Sequence, residues 1–175
     1  MKKAFLRYGL LSGAFIVVLF TLDMSVLGSF GVSEVAGYIS IVLSLCFVYF
    51  GLRYFRDKQN NGVLTFGQGI KLGLLITLIP STCFGAFDLV YVRFFNPDFY
   101  DKYTESQIAR LKATVPAAEF ETKAAAMREQ MKFWSQPWAD FLLMFLTVAA
   151  IGVIITVLSA FILKRKAAEK TVQPA

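Results

Sequence analysis

Four long apolar stretches divide the chain, each bounded by charged or turn-forming residues. Residues 8–27 carry a single charge, Asp23, between Arg7 and the breaker Gly28-Ser29-Phe30-Gly31. Residues 35–52 carry none and run into Arg53-Tyr54-Phe55-Arg56, an aromatic and basic cluster suited to lipid headgroups. The third stretch, residues 68–95, is interrupted beyond Lys71 only by Asp88 and Arg93. The fourth, residues 138–163, is uncharged after Asp140. At ~1.5 Å per residue, the helix from Phe141 to Leu163 alone reaches about 34 Å, enough to cross a hydrocarbon core of ~30 Å. The pattern predicts an all-α fold: an integral membrane four-helix bundle forming one domain over residues 1–175. A cleavable signal peptide is the alternative reading of the first stretch. Its length and the lack of a small-residue cleavage site weigh against it.

The connections differ in size. Gly28 to Glu34 has room only for a tight turn. In the second connection Asn61-Gly62 supplies turn chemistry, and Thr65 is placed to cap the backbone N–H of Gln68, so the third helix should begin near Phe66. Residues 96–137 are long enough to hold structure of their own and read as a helical hairpin. Asn96 is placed as N-cap, Pro97 at the first helical position and Asp98 in the first turn of a helix that runs to about Ala113. Thr114-Val115-Pro116 breaks it. A second helix from about Ala117 places Phe120, Ala124, Met127 and Met131 on one apolar face. Trp134 and Trp138 then fall where the fourth span enters the bilayer.

Composition narrows the functions. With 57% hydrophobic and only 17% charged residues, and a mean hydropathy of +0.59, the chain is too apolar for disorder. Two cysteines without secretory spacing exclude a disulfide scaffold. The absence of histidine excludes His-based zinc sites and Ser-His or Cys-His nucleophiles. Gly67-Gln68-Gly69 is no dinucleotide loop, because no strand precedes it. No cofactor is expected. Lys and Arg are unevenly distributed: the two termini and the second connection hold eleven against two acids, and the rest of the chain seven against ten. This bias puts both termini in the cytoplasm and the hairpin outside the cell membrane. It also accounts for the net charge of +6 without a nucleic-acid footprint. The hairpin's own charges, mixed in sign, read as a solvated face, or as the rim of a partner- or ligand-binding surface.

Within the third stretch Gly69, Gly73, Thr77, Ser81 and Gly85 recur every four residues and make a face of small side chains. Such faces let membrane helices approach closely. Gly9 and Gly13 in the first span, and Gly152, Thr156 and Ala160 in the fourth, offer matching small faces within the chain, and homo-oligomerisation is the other use. Pro80 should kink the third helix, with Ser81 and Thr82 placed to satisfy freed backbone groups. Asp23 and Asp88 lie at similar depth near the outer edge of the core, which permits contact between them, with Arg93 as counter-charge. They are the candidate intramembrane polar site, for a proton or a cation or as interfacial acids. Asp140, beside Trp138, reads as interfacial. Cys46 and Cys83 read as buried packing groups.

Several segments together resemble a known family. They are Tyr49-Phe50-Gly51-Leu52-Arg53-Tyr54-Phe55-Arg56-Asp57-Lys58, then Gly62-Val63-Leu64-Thr65-Phe66-Gly67-Gln68-Gly69-Ile70-Lys71-Leu72-Gly73, with Tyr8-Gly9-Leu10 and Phe95-Asn96-Pro97-Asp98-Phe99. The chain is similar to the bacterial membrane family called domain of unknown function 4199. That resemblance implies a four-span inner-membrane protein and carries over no active site. The expected function is non-enzymatic: an interaction or accessory protein meeting the lipid bilayer and a membrane protein partner or a second copy. Its contact surfaces would be the hairpin and the small face of the third span. A small ion- or proton-coupled transporter or channel acting as an oligomer is the alternative, and an intramembrane aspartyl enzyme a third.

Overall fold

The computed structural model describes residues 1–27 and 32–165. The glycine-containing breaker and the last ten residues, Lys166 and Lys170 among them, lie outside the described residues. Six α-helices follow one another: α1 (Lys2–Leu27), α2 (Val32–Tyr54), α3 (Phe66–Val90), α4 (Phe99–Thr114), α5 (Ala117–Trp134) and α6 (Pro137–Leu163). π-helical turns extend α2 through Phe55–Gln59 and α3 through Tyr91–Phe95. Four segments are long and apolar enough to cross a membrane: Lys2–Asp23, Val35–Gln59, Phe66–Phe95 and Pro137–Leu163. Their outward faces expose large apolar side chains such as Leu10, Tyr38, Leu158 and Ile162. Such a continuous apolar surface suits lipid rather than water.

Local chemistry explains the boundaries. Thr65 and Gln68 form the full capping box, each side chain bonding the other's backbone N–H, so α3 starts at Phe66 as its sequence requires. Asn61 and Gly62 make the preceding turn with positive φ values of 50° and 77°. The start of α4 differs from the expectation built on Asn96. The π turn carries the chain past Phe95, and the Asn96 N–H bonds back to Tyr91. Asn96 thus closes one helix rather than opening the next, and Asp98 occupies the N-cap position of α4 without a side-chain cap bond.

α3 is the centre of the bundle, with α6 on one side and α1 on another. Its small face meets α6. A methyl group added at Gly69 would lie 2.7 Å from Ala160 Cβ, and one at Gly73 2.5 Å from Thr156 Cγ2. One added at Gly152 would overlap Thr77. The two helices therefore run antiparallel, with one close pair every four residues. Gly9 and Gly13 face Ile79 and Cys83 on a different side of α3. α1 and α2 are joined by a buried serine pair: Ser12 Oγ donates to the Ser44 carbonyl at 2.8 Å, and Ser44 Oγ to the Ser12 carbonyl at 2.9 Å. α3 continues unbroken through the buried Pro80. Ser81 and Thr82 donate to the carbonyls of Thr77 and Leu78, whereas the bond that proline removes is to the carbonyl of Ile76. The cysteine expectation holds only in part. Cys83 is half-buried, but Cys46 faces outward from α2, which costs nothing where the surroundings are lipid and a thiol behaves as a small apolar group.

At one end of the bundle the start of α3 is clasped to the end of α6. The Leu64 N–H donates to the Arg165 carbonyl at 3.0 Å and the Arg165 N–H to the Leu64 carbonyl at 2.8 Å. Arg56 adds a contact to the Leu163 carbonyl at 3.5 Å, a cation at a helix C-terminus.

The α3–α6 contact makes opposite predictions for two substitutions. Gly73→Val should lower stability in mild detergent by roughly 1–3 kcal/mol, the usual cost of overpacking. Thr156→Val should raise it by about 1 kcal/mol, because the buried Thr156 Oγ1 has no hydrogen-bond partner. Gly67→Ala, with open space around it, should change nothing. Thermal unfolding of the three variants tests all of this.

Candidate functional site

The close pairs between α3 and α6 lead to a polar cluster. The close pairs on α3 lead on through the buried Ser81 and Gly85 to Asp88, three residues further, and stepping by four from Ala160, Thr156 and Gly152 on α6 passes the buried Val148 and ends at Asp140. Both acids are buried, Asp88 at 7% and Asp140 at 2% exposure. Their carboxyl groups are hydrogen-bonded to each other. Such a bond needs a proton on one of the two, because an ionised carboxylate only accepts. Asp140 lies in the first turn of α6, where the helix dipole favours its negative charge.

Tyr100 of α4 closes the cluster from above. Its hydroxyl donates to Asp140 Oδ1 at 2.5 Å. Burial, and then the Asp140 carboxyl, push the phenol above the ordinary tyrosine range, so it remains a donor while it stays in place. Arg93, on the π turn seven residues before Tyr100, bears electrostatically on both Asp140 and Tyr100 and donates to the Ser135 carbonyl at 3.3 Å. A cleft of about 510 Å³ opens beside these groups, lined by Val92, Arg93, Pro97, Tyr100, Asp101, Ser135 and Gln136.

The sequence residues are redistributed. Asp23 is not the partner of Asp88. It is half-exposed and accepts a 2.7 Å hydrogen bond from Ser40 Oγ, tying α1 to α2. Asp140, placed by the sequence at the membrane interface, is buried against Asp88, and depth counted along single helices did not show which helix faces which. Tyr100 was missed altogether. The small-residue steps on α6 extend backwards to Asp140, and that is the signal that pairs it with Asp88 once α3 and α6 are set antiparallel. Trp138 is 59% exposed, and its ring packs edge-on against Phe133 at 5.3 Å. Among the described residues no group of three His, Cys, Asp or Glu side chains is arranged to hold a metal.

The family described as protein of unknown function (DUF4199) matches residues 7–165. The chain belongs to that family. The matched residues span every helix, most of α1 included, and thus contain Asp88, Arg93, Tyr100 and Asp140 of this chain. No curated protein and no solved structure matches the chain.

The pairing sets an order among acid substitutions. Asp88→Ala leaves the buried Asp140 with Tyr100 and without its partner on α3 and opens a gap between α3 and α6, for an expected loss of about 1–3 kcal/mol. Asp88→Asn keeps a donor for Asp140 and should stay within about 1 kcal/mol of the parent. Asp23→Ala removes a half-exposed contact and should cost less than Asp88→Ala. Equal losses for Asp23→Ala and Asp88→Ala in detergent unfolding would contradict the pairing.

Proposed function

We propose that this protein is a multi-pass inner-membrane protein with cytoplasmic termini, and that it acts without catalysis, as an interaction or accessory protein. Its working surface is the α4–α5 hairpin, placed outside the cytoplasmic membrane. The observation that carries this reading is the way the hairpin spends its apolar residues. Phe120, Ala124, Met127 and Met131 form the shielded side of α5, Ala124 fully buried, with α4 packed against the helix. Most of the remaining exposed surface of both helices is polar or charged, with Phe133 and several alanines of α5 also exposed. A folded, water-facing surface about 27 Å long, the span of eighteen residues at ~1.5 Å each, is thus offered beyond the bilayer. The small face of α3 serves the bundle itself, so the contact surface assigned to it from sequence passes to the hairpin alone. The Lys and Arg bias supports the orientation.

A second reading is supported by the buried acid pair: a small ion- or proton-coupled transporter or channel acting as an oligomer. Acids buried between transmembrane helices commonly mark proton or ion paths.

Photo-crosslinkers placed at Glu121 and Arg128 on α5, and at lipid-facing Leu158 as control, separate the two readings in native membranes. A specific protein crosslinked from both hairpin positions and not from Leu158 is the expected result. Proton or cation flux through purified protein in liposomes, abolished by Asp88→Asn and Asp140→Asn, with no hairpin crosslink, would overturn the accessory reading.

A further inference from the structure

We propose that the Asp88–Asp140 pair is a pH-sensitive latch: while the pair keeps its shared proton, Tyr100 holds the α4–α5 hairpin against the bundle, and loss of that proton releases it. The latch rests on the contacts of the cluster and not on the existence of a partner for the hairpin.

The geometry has three parts. The first is the pair itself. Asp88 and Asp140 come from two helices packed at van der Waals distance, both are more than nine-tenths buried, and they touch through a hydrogen bond that requires a proton. Without it, two anions face each other where water is excluded, and like charges at contact in such surroundings repel strongly. The groups that bear on the pair are Tyr100 from α4 and Arg93 from the π turn. The phenol is neutral and the single guanidinium is exposed and already bonded to Ser135. Neither balances a second negative charge.

The second part is the weakness of the hairpin's attachment. No residue of α4 is fully buried, and α5 buries only Ala124. The polar ties from the hairpin and its foot to the bundle include the Tyr100–Asp140 bond and the Arg93–Ser135 bond. Elements with so few buried contacts open at low free-energy cost. The helices below do not have that freedom, being closely packed and clasped at Leu64 and Arg165. Relief of repulsion at the pair must therefore come from the hairpin side.

The third part is access. The cleft beside Arg93, Tyr100 and Gln136 opens at the foot of the hairpin. Water entering as Tyr100 lifts would solvate both carboxylates. The sign follows: with one or two protons the pair stays bonded and the hairpin stays down, so low pH keeps the latch closed and rising pH opens it. Asp88→Asn replaces the shared proton with an amide that donates at every pH and locks the latch. Tyr100→Phe removes the hold and leaves the pair intact.

The test uses full-length protein in lipid nanodiscs, with Cys46 and Cys83 replaced by alanine and spin labels at Ala118→Cys on α5 and Val90→Cys on α3. Distances are measured by pulsed electron resonance from about pH 5 to about pH 9. The parent should shift from a short, narrow distance to a longer, broader one as pH rises. Asp88→Asn should keep the short distance throughout, and Tyr100→Phe should show the long component even at the lowest pH. A parent distance that does not move, or an Asp88→Asn variant that follows the parent, would overturn the latch. A second readout needs no substitution: amide exchange of α4, corrected for its intrinsic pH dependence, should accelerate over the same interval, and an unchanged corrected rate would equally overturn it.

Discussion

The close approach of α3 and α6 is the constraint on which the rest of the molecule depends. In lipid the apolar side chains of two helices gain nothing by leaving hydrocarbon for one another, so association has to come from tight contact and from polar groups. Glycine and threonine supply the first. The pairs Gly69–Ala160, Gly73–Thr156 and Thr77–Gly152 leave no space for an added methyl group. This contact fixes both the distance and the register of the two helices. The Leu64–Arg165 clasp follows at one end of the pair, and the Asp88–Asp140 contact at the other. The remaining spans are then attached by different means: α1 by glycines against Ile79 and Cys83, and by the ring pair Phe20–Phe84 at 4.3 Å, and α2 to α1 by the reciprocal Ser12–Ser44 bonds.

The same register gives the acid pair its unusual character. A single buried acid between membrane helices is commonly neutral or paired with a base. Here two acids are brought together, with a phenol donating to one of them and an arginine at the margin. Such an arrangement is stable only while a proton remains in it. It is placed where the apolar bundle meets the polar hairpin, so the pair is in contact with the element that buries the fewest residues. Partner binding by the hairpin and proton occupancy of the pair are separate properties of one joint, and either can stand without the other.

Much of the architecture was legible in the sequence because it rests on local signals. Hydropathy over about twenty residues marks a span, the Thr65-to-Gln68 spacing marks a helix start, and Val115-Pro116 marks the bend of the hairpin. The site was only half legible. Asp88 and Arg93 stand out as charges in an apolar run, but the partner of Asp88 depends on which helix lies opposite, and this is a tertiary fact. Similar depth permitted a contact with Asp23, whereas the matched small faces of α3 and α6 decide for Asp140. Tyr100 gave no signal at all, since one tyrosine in a polar helix is unremarkable until the fold lays it over a carboxyl group. The start of α4 was misplaced for a local reason: the π turn uses Asn96 to finish α3, and a sequence pattern of cap, proline and acid does not reveal that the cap is already in use.

The most direct test of this account is paired cysteine crosslinking in native membranes, in a chain whose Cys46 and Cys83 are replaced by alanine. Asp88→Cys with Asp140→Cys replaces the two facing carboxyl groups with thiols, and a disulfide requires a Cα separation of roughly 4.4–6.8 Å. The account predicts rapid, nearly complete disulfide formation for that pair, and none for Asp23→Cys with Asp88→Cys under the same mild oxidation. A crosslink between positions 23 and 88, with none between 88 and 140, would contradict the register of α3 on α6 and with it the whole arrangement of the site.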